Sequence, residues 1–396
     1  MMDPRPLAMR IGRAERISVA AAVTAAWLTI ASCGSTGRQH ASALLPTHDD
    51  SIETTLFLVG DAGAPGPPGQ SALDALRSAA KQAHGNVVIV FLGDNVYPDG
   101  LPDSLGASRR EAELRLAESV DAVVGSKARG IFVPGNHDWG SRADTGASAL
   151  RRQDRFIARR SGGEASMLPE PGCPGPHVVD IGERLRLVAL DTEWWLQHAT
   201  HDAAGGPSCS AHSEREVVTA LQSALAGAGN RNVVVVAHHP LVSGAAHGGH
   251  FGWREHVFPL RDVGDWLWVP LPVLGSAYPV LRARGAWVED VANGAYRRMR
   301  LALDSAFAQR PPLVYASGHD HNLQVLDGTS ARHLLVSGAG SEGTLNRVSW
   351  LPSTRFAREA NGFMRLELAR DGRVRLGVLT VDRVRGTVEA YAIWLI

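Results

Sequence analysis

Five short segments of this sequence carry Asp, Asn, His and Tyr side chains of the types that bind metal ions. Each follows an apolar run: Gly60-Asp61-Ala62-Gly63, Gly93-Asp94-Asn95-Val96-Tyr97, Gly135-Asn136-His137-Asp138, Ala237-His238-His239-Pro240 and Gly318-His319-Asp320-His321. Carboxylate, imidazole and amide donors suit iron, zinc and manganese. Two such ions about 3.5–4 Å apart can clamp phosphoryl oxygens and generate hydroxide near neutral pH. One such segment alone is usually a loop cap, but five in one chain predict a site for two metal ions.

The elements that carry these segments must bring them to one edge of a sheet. Residues 87–92 are apolar on both faces, which is typical of a strand covered on both sides. In open α/β sheets, ligands bind at the carboxyl ends of the strands. The predicted strands are 55–59, 87–92, 131–133, 184–190, 232–237, 313–316 and 333–336. The predicted helices are 71–83, 108–124, 213–225 and 293–307.

The C-terminal part has a different pattern. Apolar and polar side chains alternate over residues 364–368 and again over 374–378, and Asp371-Gly372 supplies a tight turn between them. This pattern predicts an antiparallel hairpin added to the α/β elements. The chain from 51 to 396 is therefore expected to form one domain, a layered α/β/β/α sandwich.

The five segments resemble those of the calcineurin-like metallophosphoesterases, and two of them narrow the resemblance. Asp94-Asn95-Val96-Tyr97, with Tyr three residues after Asp, is similar to the purple acid phosphatase subgroup. Gly318-His319-Asp320-His321-Asn322-Leu323-Gln324, followed by Ser337-Gly338-Ala339-Gly340, is similar to the small, tartrate-resistant type. The resemblance covers roughly residues 54–250 and 310–395, and it implies a four-layer α/β/β/α metallophosphoesterase sandwich.

The resemblance implies two metal ions, Fe³⁺ and a divalent ion (Fe, Zn or Mn), held by seven side chains. The ferric ion would take Asp61, Tyr97 and His321, the divalent ion would take Asn136, His238 and His319, and Asp94 would bridge the two. A metal-bound hydroxide would then hydrolyse a phosphate ester in one step. Tyr97 distinguishes the purple subgroup from relatives that lack this ligand, because charge transfer from a phenolate to iron colours purple phosphatases. The alternative is a packed aromatic residue in a relative that lacks this ligand.

Two further histidines are candidates for catalysis on the substrate side of the metals. His137 follows a predicted ligand, and His247 lies nine residues after His238, the spacing at which small purple phosphatases carry such a histidine. An imidazolium there would stabilise phosphate oxygens or protonate the leaving alkoxide. His250 is a rival for the role of His247. His239 is expected to support the site or the fold rather than to bind metal.

The first 32 residues are predicted to be a targeting segment. A basic start is followed by the apolar run 17–30 and then by Ile30-Ala31-Ser32-Cys33, which resembles the lipobox of bacterial lipoprotein signals. Cys33 would become the lipidated N-terminus, and 33–50 would be a polar tether. The protein is thus expected to be exported and held on a membrane. A plain secretory signal or an uncleaved anchor are the alternatives, although the apolar run is short for a spanning helix.

The two remaining cysteines, Cys173 and Cys209, lie in Gly/Pro-rich segments. An exported protein matures in an oxidising compartment, so a disulfide between them is the simplest expectation. Two free thiols are the alternative. The chain offers better metal ligands elsewhere, so a metal role for these cysteines is not expected.

Residues from about 251 to 300 form an insertion relative to the resembled family. The insertion contains Trp253, Trp266, Trp268 and Trp287, four of the ten Trp in the chain. They are expected to form either a small local core that fixes the insertion or an aromatic wall beside the metals.

Charge and composition exclude one partner class and leave others open. Without residues 1–32 the chain has 36 basic and 38 acidic residues, so it offers no basic surface for nucleic acid. The expected partners are a phosphate-ester small molecule and, through the N-terminal lipid, a membrane. A phosphodiesterase acting on cyclic nucleotides or lipid headgroups is an alternative function. A surface lipoprotein that binds without turnover is another.

Overall fold

Two β-sheets packed face to face carry the predicted site residues in the computed structural model of the protein. The structure describes residues 51–66, 71–140, 143–197, 209–262, 266–341, 345–382 and 386–396. All of these belong to the unit Ala41–Ile396. The predicted signal peptide, the tether and the lipidation site Cys33 lie outside the described residues. Within the described ranges, no helix combines the length and apolar character needed to cross a bilayer.

The strands and helices alternate along the first half of the chain, and strands dominate its end. The described strands are β1 (Ile52–Val59), β2 (Asn86–Phe91), β3 (Arg129–Phe132), β4 (Ala165–Met167), β5 (His177–Ile181), β6 (Leu185–Ala189), β7 (Asn232–Val236), β8 (Val314–Ser317), β9 (Leu323–Asp327), β10 (His333–Ser337), β11 (Thr354–Arg358), β12 (Gly362–Ala369), β13 (Val374–Asp382) and β14 (Gly386–Trp394). The described helices are α1 (Ala72–Gln82), α2 (Arg109–Val124), α3 (Asn136–Trp139), α4 (Ala143–Ser161), α5 (Glu193–Leu196), α6 (Glu214–Ala226), α7 (Trp253–Val257), α8 (Ala277–Ala283) and α9 (Gly294–Phe307).

The strands of the described residues form two sheets of mixed direction. The first has the spatial order β14-β13-β12-β1-β2-β3-β4, and the second has the order β11-β9-β10-β8-β7-β6-β5. Strands β1, β2, β3 and β4 run parallel, as do β6, β7, β8 and β10. The C-terminal hairpin β12–β13 joins the first sheet through antiparallel pairing of β12 with β1. The carboxyl ends of the parallel strands therefore meet at one edge of each sheet.

Successive side chains of one strand enter two different cores. Leu56 and Val88 pack in the core between the two sheets, where Val234 meets them from the second sheet. Phe57 and Ile89 point the other way and join the core under the helices. This period of two follows from strand geometry, and it explains why β1 and β2 are apolar throughout. The chain has the predicted α/β/β/α arrangement of helices outside two central sheets.

Capping side chains begin the three helices that the sequence marks most clearly. The hydroxyl of Ser71 accepts the backbone N–H of Asp74 at 3.1 Å, and the Asp74 carboxylate accepts the Ser71 N–H in return. The side chains of Ser213 and Asn293 accept the backbone N–H groups of Glu216 and Ala295 at the starts of α6 and α9, without a reciprocal bond. Each cap stabilises its helix by about 1 kcal/mol. These helices begin within a residue of their predicted starts.

Several short elements were not expected from the sequence pattern. Strands β4, β5, β9 and β11 have three to five residues, so they carry little periodic signal, and β14 was not expected although it has nine residues. The amphipathic helix α4 is rich in Arg, and its apolar residues are few. Its buried Leu150 and Ile157 belong to the core under the first sheet. Tertiary packing, rather than local composition, defines these elements.

Cys173 and Cys209 are joined by a disulfide across 36 residues, as predicted, so the alternative of two free thiols is wrong. Both cysteines are buried. In the chain-entropy model, closing a loop of this length stabilises the fold by about 3–4 kcal/mol. The disulfide holds the segment before β5 against the segment that leads into α6.

The insertion, residues 251–300, consists of α7, α8, the start of α9 and two 3₁₀ turns, Pro259–Asp262 and Leu274–Ser276. Its four Trp side chains are exposed by 64%, 80%, 52% and 44% for Trp253, Trp266, Trp268 and Trp287. The expectation that they form a small buried core is therefore wrong. Trp287 contacts Tyr278 edge to face, and the guanidinium of Arg261 lies over the ring of Trp268 at 4.1 Å.

Candidate metal centre

The two sheets are joined by hydrogen bonds at the edge where the predicted ligands lie. Gly60, which follows β1, donates its N–H to the carbonyl of Ser337 in β10 at 2.7 Å. It also accepts the N–H of Gly340 at 3.0 Å. Gly318 donates to the carbonyl of His238 at 3.0 Å. These cross-links hold the segments after β1, β7 and β8 in one place, so all five predicted segments face a shared cleft.

Asp94 lies between two groups of donor atoms and gives one carboxylate oxygen to each. Its Oδ2 is 3.1 Å from the hydroxyl of Tyr97. Its Oδ1 is 3.4 Å from Nε2 of His238 and accepts the backbone N–H of His137 at 3.0 Å. A carboxylate with its two oxygens turned to different donor groups has the geometry of a bridging ligand.

The first group gathers Asp61, Tyr97 and His321 around Oδ2 of Asp94. The Tyr97 hydroxyl is 3.1 Å from Oδ1 of Asp61 and 3.1 Å from Nε2 of His321. That His321 nitrogen is 3.2 Å from the same Asp61 oxygen. One phenol hydrogen cannot serve two carboxylates at once. Burial and the charges of Asp61 and Asp94 raise the pKa of Tyr97 well above its ordinary value. This group thus has the donors and the excess negative charge that suit a cation.

The second group gathers Asn136, His238 and His319 around Oδ1 of Asp94. Nε2 of His238 is 2.9 Å from the amide oxygen of Asn136 and 3.3 Å from Nδ1 of His319. The other nitrogen of each ring is committed elsewhere. Nδ1–H of His238 donates to the carbonyl of Leu92 at 2.8 Å, and Nε2–H of His319 donates to that of Glu289 at 3.2 Å. Such partners fix the tautomer and turn the free nitrogens to one point, as in metal-binding histidines.

The pKa values of Asp94 and His238 indicate that the donor set lacks a cation. Burial alone would raise the pKa of Asp94, but His238 and His137 lower it below its ordinary value. Burial likewise disfavours charged His238, yet Asp94 raises the pKa of His238 to about 10. Without a metal ion, a proton on His238 therefore balances the buried carboxylates. A cation between the donors would replace that proton, so the residues present fit a pair of metal ions.

Three of the predicted ligands have a backbone conformation that side chains rarely adopt. Asp61, Asp94 and His319 have φ values of 57°, 56° and 69°. Such left-handed residues cost energy, and they persist where surrounding contacts fix them, commonly at functional sites. At Gly93 a Cβ would lie 2.4 Å from the ring of His238, so only glycine lets that ring approach.

Asp138 ties two of the ligand segments together from behind. It accepts the backbone N–H of Asn95 at 2.9 Å, the Asn95 amide at 2.8 Å and the N–H of Gly135 at 2.9 Å. Burial and the charge of Asp94 raise the pKa of Asp138 to about 7. These bonds fix the segments after β2 and β3 relative to each other, and so they position Asp94 and Asn136.

His137 lies beside the bridging carboxylate, partly exposed to solvent. Its Nδ1 is 2.6 Å from the carbonyl of Pro98, to which it donates, and its Nε2 is 3.9 Å from Oδ2 of Asp94. The ring contacts the edge of Tyr97 at 4.6 Å between centroids. The side chain therefore faces the cleft from the solvent side, where a bound substrate would meet it.

His247 reaches the same cleft from the other side and is held by the insertion. Its ring centroid is 4.0 Å from that of His319. Its Nδ1 lies 3.1 Å from the carbonyl of Glu289 and 3.3 Å from Oδ1 of Asp290. Arg282 pairs with Asp290 at 2.6 Å behind it. Nη2 of Arg282 also lies 3.2 Å from Nδ1, so this nitrogen has three polar neighbours that hold the ring in the cleft.

The structure thus brings all seven predicted ligands and both predicted histidines to one cleft. It adds residues that the sequence pattern did not single out. Glu193 follows strand β6, so it fits the pattern of an acidic residue after an apolar strand, and that pattern could have identified it. Glu289 and Asp290 lie in the insertion and have no such signal. His239 does not take a substrate-facing position. Its Nε2 lies 3.0 Å from Oε2 of Glu289.

A comparison with protein-family models gives a match to the model described as calcineurin-like phosphoesterase. The matched region is residues 54–269, which is more than half of the chain. It includes the segments around Asp61, Asp94, Asn136 and His238. A comparison with curated protein sequences gives no significant match.

Solved structures share the fold at low sequence identity. GAP50 of Plasmodium, titled the anchor in the inner membrane complex, is 16% identical with a TM-score of 0.50, and the match covers 86% of this chain and 88% of that one. PhoD is 11% identical with a TM-score of 0.52, covering 88% and 71%. Purple acid phosphatase PPD1 from yellow lupin (Lupinus luteus) seeds is 13% identical with a TM-score of 0.49, covering 88% and 55%. At these identities the likeness to GAP50 and PhoD concerns the fold alone.

Proposed function

This chain belongs to the calcineurin-like phosphoesterase family, a family of metal-dependent phosphoester hydrolases, and from that premise we propose that it is an acid phosphatase-like phosphomonoesterase. The observation that carries the proposal is the position of Asp94 between two donor groups. Its two oxygens face Tyr97 at 3.1 Å and His238 at 3.4 Å. A site built for two ions next to each other is what phosphoester hydrolysis by this family requires.

The seven side chains are proposed to hold the ions as the sequence resemblance implies. Fe³⁺ would take Asp61, Tyr97 and His321, a divalent Fe, Zn or Mn ion would take Asn136, His238 and His319, and Asp94 would bridge them. When bound, the two ions would hold phosphoryl oxygens and lower the pKa of a water molecule. A ferric ion would oppose the raised pKa of Tyr97 by attracting the phenolate.

The residues around the ions would orient the ester and move protons. His137 faces the cleft beside Asp94 and can donate a hydrogen bond to a phosphate oxygen. His247 is held at Nδ1 by the carbonyl of Glu289, by Asp290 and by Arg282. As an imidazolium it would give the proton on Nε2 to the leaving alkoxide. The phenol of Tyr97 contacts Oδ2 of Asp94, whereas the amide of Asn136 contacts His238, which lies beside Oδ1.

Elemental analysis, a visible spectrum and a substrate panel test this proposal together. We expect two metal ions at the predicted centre, with iron among them, a visible charge-transfer band, and faster hydrolysis of aryl phosphate monoesters than of matched diesters. Tyr97→Phe should remove the band. A colourless protein without iron that still hydrolyses monoesters would contradict the ferric assignment only. Faster hydrolysis of diesters would favour the phosphodiesterase alternative.

A binding function without turnover is the alternative from another class. Its one support is that a protein with this fold, GAP50, is described as an anchor in a membrane complex. The complete set of seven converging donor side chains argues against it. A protein shown to contain both ions, but inactive on the whole panel, would favour the binding function.

We also propose that the protein is exported and held on a membrane by a lipid at Cys33. The support is the sequence Ile30-Ala31-Ser32-Cys33 after an apolar run, together with the Cys173–Cys209 disulfide, which suits an oxidising compartment. Mass spectrometry of the mature N-terminus tests this. A diacylated Cys33 is expected, and Cys33→Ser should release the protein from membranes. An N-terminus elsewhere would contradict the lipid anchor.

A further inference from the structure

A second cluster of metal-binding side chains lies behind the predicted centre and uses none of its seven ligands. It consists of Glu193, His239 and Glu289, each of which has one donor atom within 4.8 Å of the others. Nε2 of His239 is 3.0 Å from Oε2 of Glu289 and 3.6 Å from Oε2 of Glu193. Glu193 and His239 are buried, and the Glu289 side chain is 21% exposed, so the cluster has a path to solvent.

Glu193 supplies an observation that points to a ligand. Its side chain is only 3% exposed, and its Oε1 accepts a hydrogen bond from the amide of Gln197. Its Oε2 has no hydrogen-bond partner among the described residues. That oxygen is turned to Nε2 of His239. A buried carboxylate oxygen without a donor is costly, and it calls for a charge that balances it.

The orientation of His239 suits the same role. The hydroxyl of Thr192 lies 2.8 Å from Nδ1 of His239 and also accepts the backbone N–H of His239 at 3.2 Å. When Nδ1–H donates to Thr192, the lone pair of Nε2 faces the two glutamates. A histidine held at one nitrogen by an oxygen acceptor, with the other nitrogen turned to carboxylates, is the usual arrangement of a metal ligand.

The size of the cluster matches a metal ion. Zinc lies about 2.0–2.2 Å from nitrogen and oxygen ligands, which sets such ligands about 3–3.6 Å apart. The separations around His239 are 3.0 and 3.6 Å. The donor separations around His238 in the predicted centre are of the same size, 2.9 to 3.4 Å. One imidazole and two carboxylates are a donor set that suits zinc or manganese.

We propose that Glu193, His239 and Glu289 bind a third divalent cation, Zn²⁺ or Mn²⁺, separate from the pair bridged by Asp94. Glu193 and His239 follow strands β6 and β7, whereas Glu289 belongs to the insertion. The ion therefore fastens the insertion to the edge of the second sheet. The Glu289 carbonyl contacts the rings of His319 and His247, so the ion also fixes the segment that orients these two histidines.

Metal stoichiometry tests the third site independently of catalysis. The purified protein is saturated with Zn²⁺ or Mn²⁺, desalted and analysed for metal and protein content. Wild type and the insertion control Glu255→Gln should hold three ions per chain, and Glu193→Gln should hold two. Asp94→Asn should lose the bridged pair and keep one ion. Equal metal content in wild type and Glu193→Gln overturns the third site, whereas unchanged content in Asp94→Asn contradicts the proposed centre instead.

Limited proteolysis gives a second measurement. In an Asp94→Asn background, Zn²⁺ should slow cleavage within residues 251–300, and the additional change Glu193→Gln should abolish this protection. Protection that persists in the double variant overturns the proposal. If Glu193→Gln does not fold, Glu289→Gln replaces it in both experiments, because the Glu289 side chain is partly exposed and its substitution leaves the buried core unchanged.

Discussion

The metal centre and the insertion lie side by side, but they are built in opposite ways. The centre consists of segments that end buried strands, and its side chains are fixed by several partners each. The insertion has short helices and turns, and it exposes its tryptophans. The start of α9 is buried in the core under the helices, and the segment around Glu289 and Asp290 lies against the centre. The contrast suggests that the centre determines chemistry, whereas the insertion contributes through the segment around Glu289 and Asp290.

The strongest test of this contrast is the bridging residue. Asp94→Asn removes a charge that faces both donor groups, so it should lower kcat by at least about 1,000-fold and release metal. Kinetics on an aryl phosphate and elemental analysis measure both effects. Asp371→Asn, an exposed substitution in the C-terminal hairpin, is the control and should change neither. Activity within tenfold of wild type would mean that Asp94 is not the bridge.

A buried acid beneath the centre should make stability depend on pH. Burial raises the pKa of Asp191 to about 7, although Trp139 donates to it at 3.0 Å. The pKa of Asp191 is higher in the folded than in the unfolded protein. The contribution of Asp191 to the free energy of unfolding is therefore present at low pH and is lost between about pH 4 and 7. Asp191→Asn keeps an acceptor for Trp139 without the charge. The substitution should raise the free energy of unfolding relative to wild type, and this gain should be up to about 4 kcal/mol larger at pH 8 than at pH 4.

Urea unfolding followed by circular dichroism at both pH values measures this difference. Asp180→Asn is the matched control. Arg186 donates to Asp180 and lowers its pKa, so the contribution of Asp180 is present at neutral pH and lost in acid. Its substitution should therefore cost stability at pH 8, and the cost should shrink as the pH falls below the ordinary pKa of an Asp carboxyl. The same sign for both variants would contradict the assignment for Asp191.

A substitution in the buried segment of the insertion should lower kcat by an intermediate amount. Asp290→Asn weakens the acceptor that holds Nδ1 of His247, so kcat should fall about 10–100-fold, the size seen when an outer partner of a histidine is lost. Elemental analysis should show unchanged metal content, so that the loss of activity reflects the position of His247. Loss of metal together with activity would indicate a merely structural role for Asp290.

The exposed face of the insertion should show the smallest effect. Trp266 is 80% exposed, so Trp266→Ala should change the free energy of unfolding by no more than about 0.5 kcal/mol. The fully buried Trp194 is the comparison, and Trp194→Ala should cost about 3–5 kcal/mol. Thermal or urea unfolding measures both. A large cost at Trp266 would mean that the insertion packs more tightly than its exposure indicates.

The sequence allowed much of the centre to be predicted, because its residues follow a repeated physical pattern. Asp61, Asp94 and His319 each come directly after an apolar strand, and parallel strands must end at the same edge. His247 was predicted because it lies nine residues after His238, a spacing that resembles that of the small purple phosphatases. Glu289 and Asp290 could not be predicted, since they depend on how the insertion folds back across many residues. Helix α4 was also missed although it is amphipathic, because Arg and other polar residues outnumber its large apolar side chains.

The contrast between the two kinds of tryptophan has a practical consequence for spectroscopy. Trp139, Trp194 and Trp195 are fully buried beside the centre, whereas the four tryptophans of the insertion are in contact with solvent. A soluble quencher such as iodide will therefore reduce the emission of the insertion, together with that of the partly exposed Trp350 and Trp394, before the blue-shifted emission of the buried group. Quenching can thus distinguish the exposed from the buried tryptophans without any dye or engineered label.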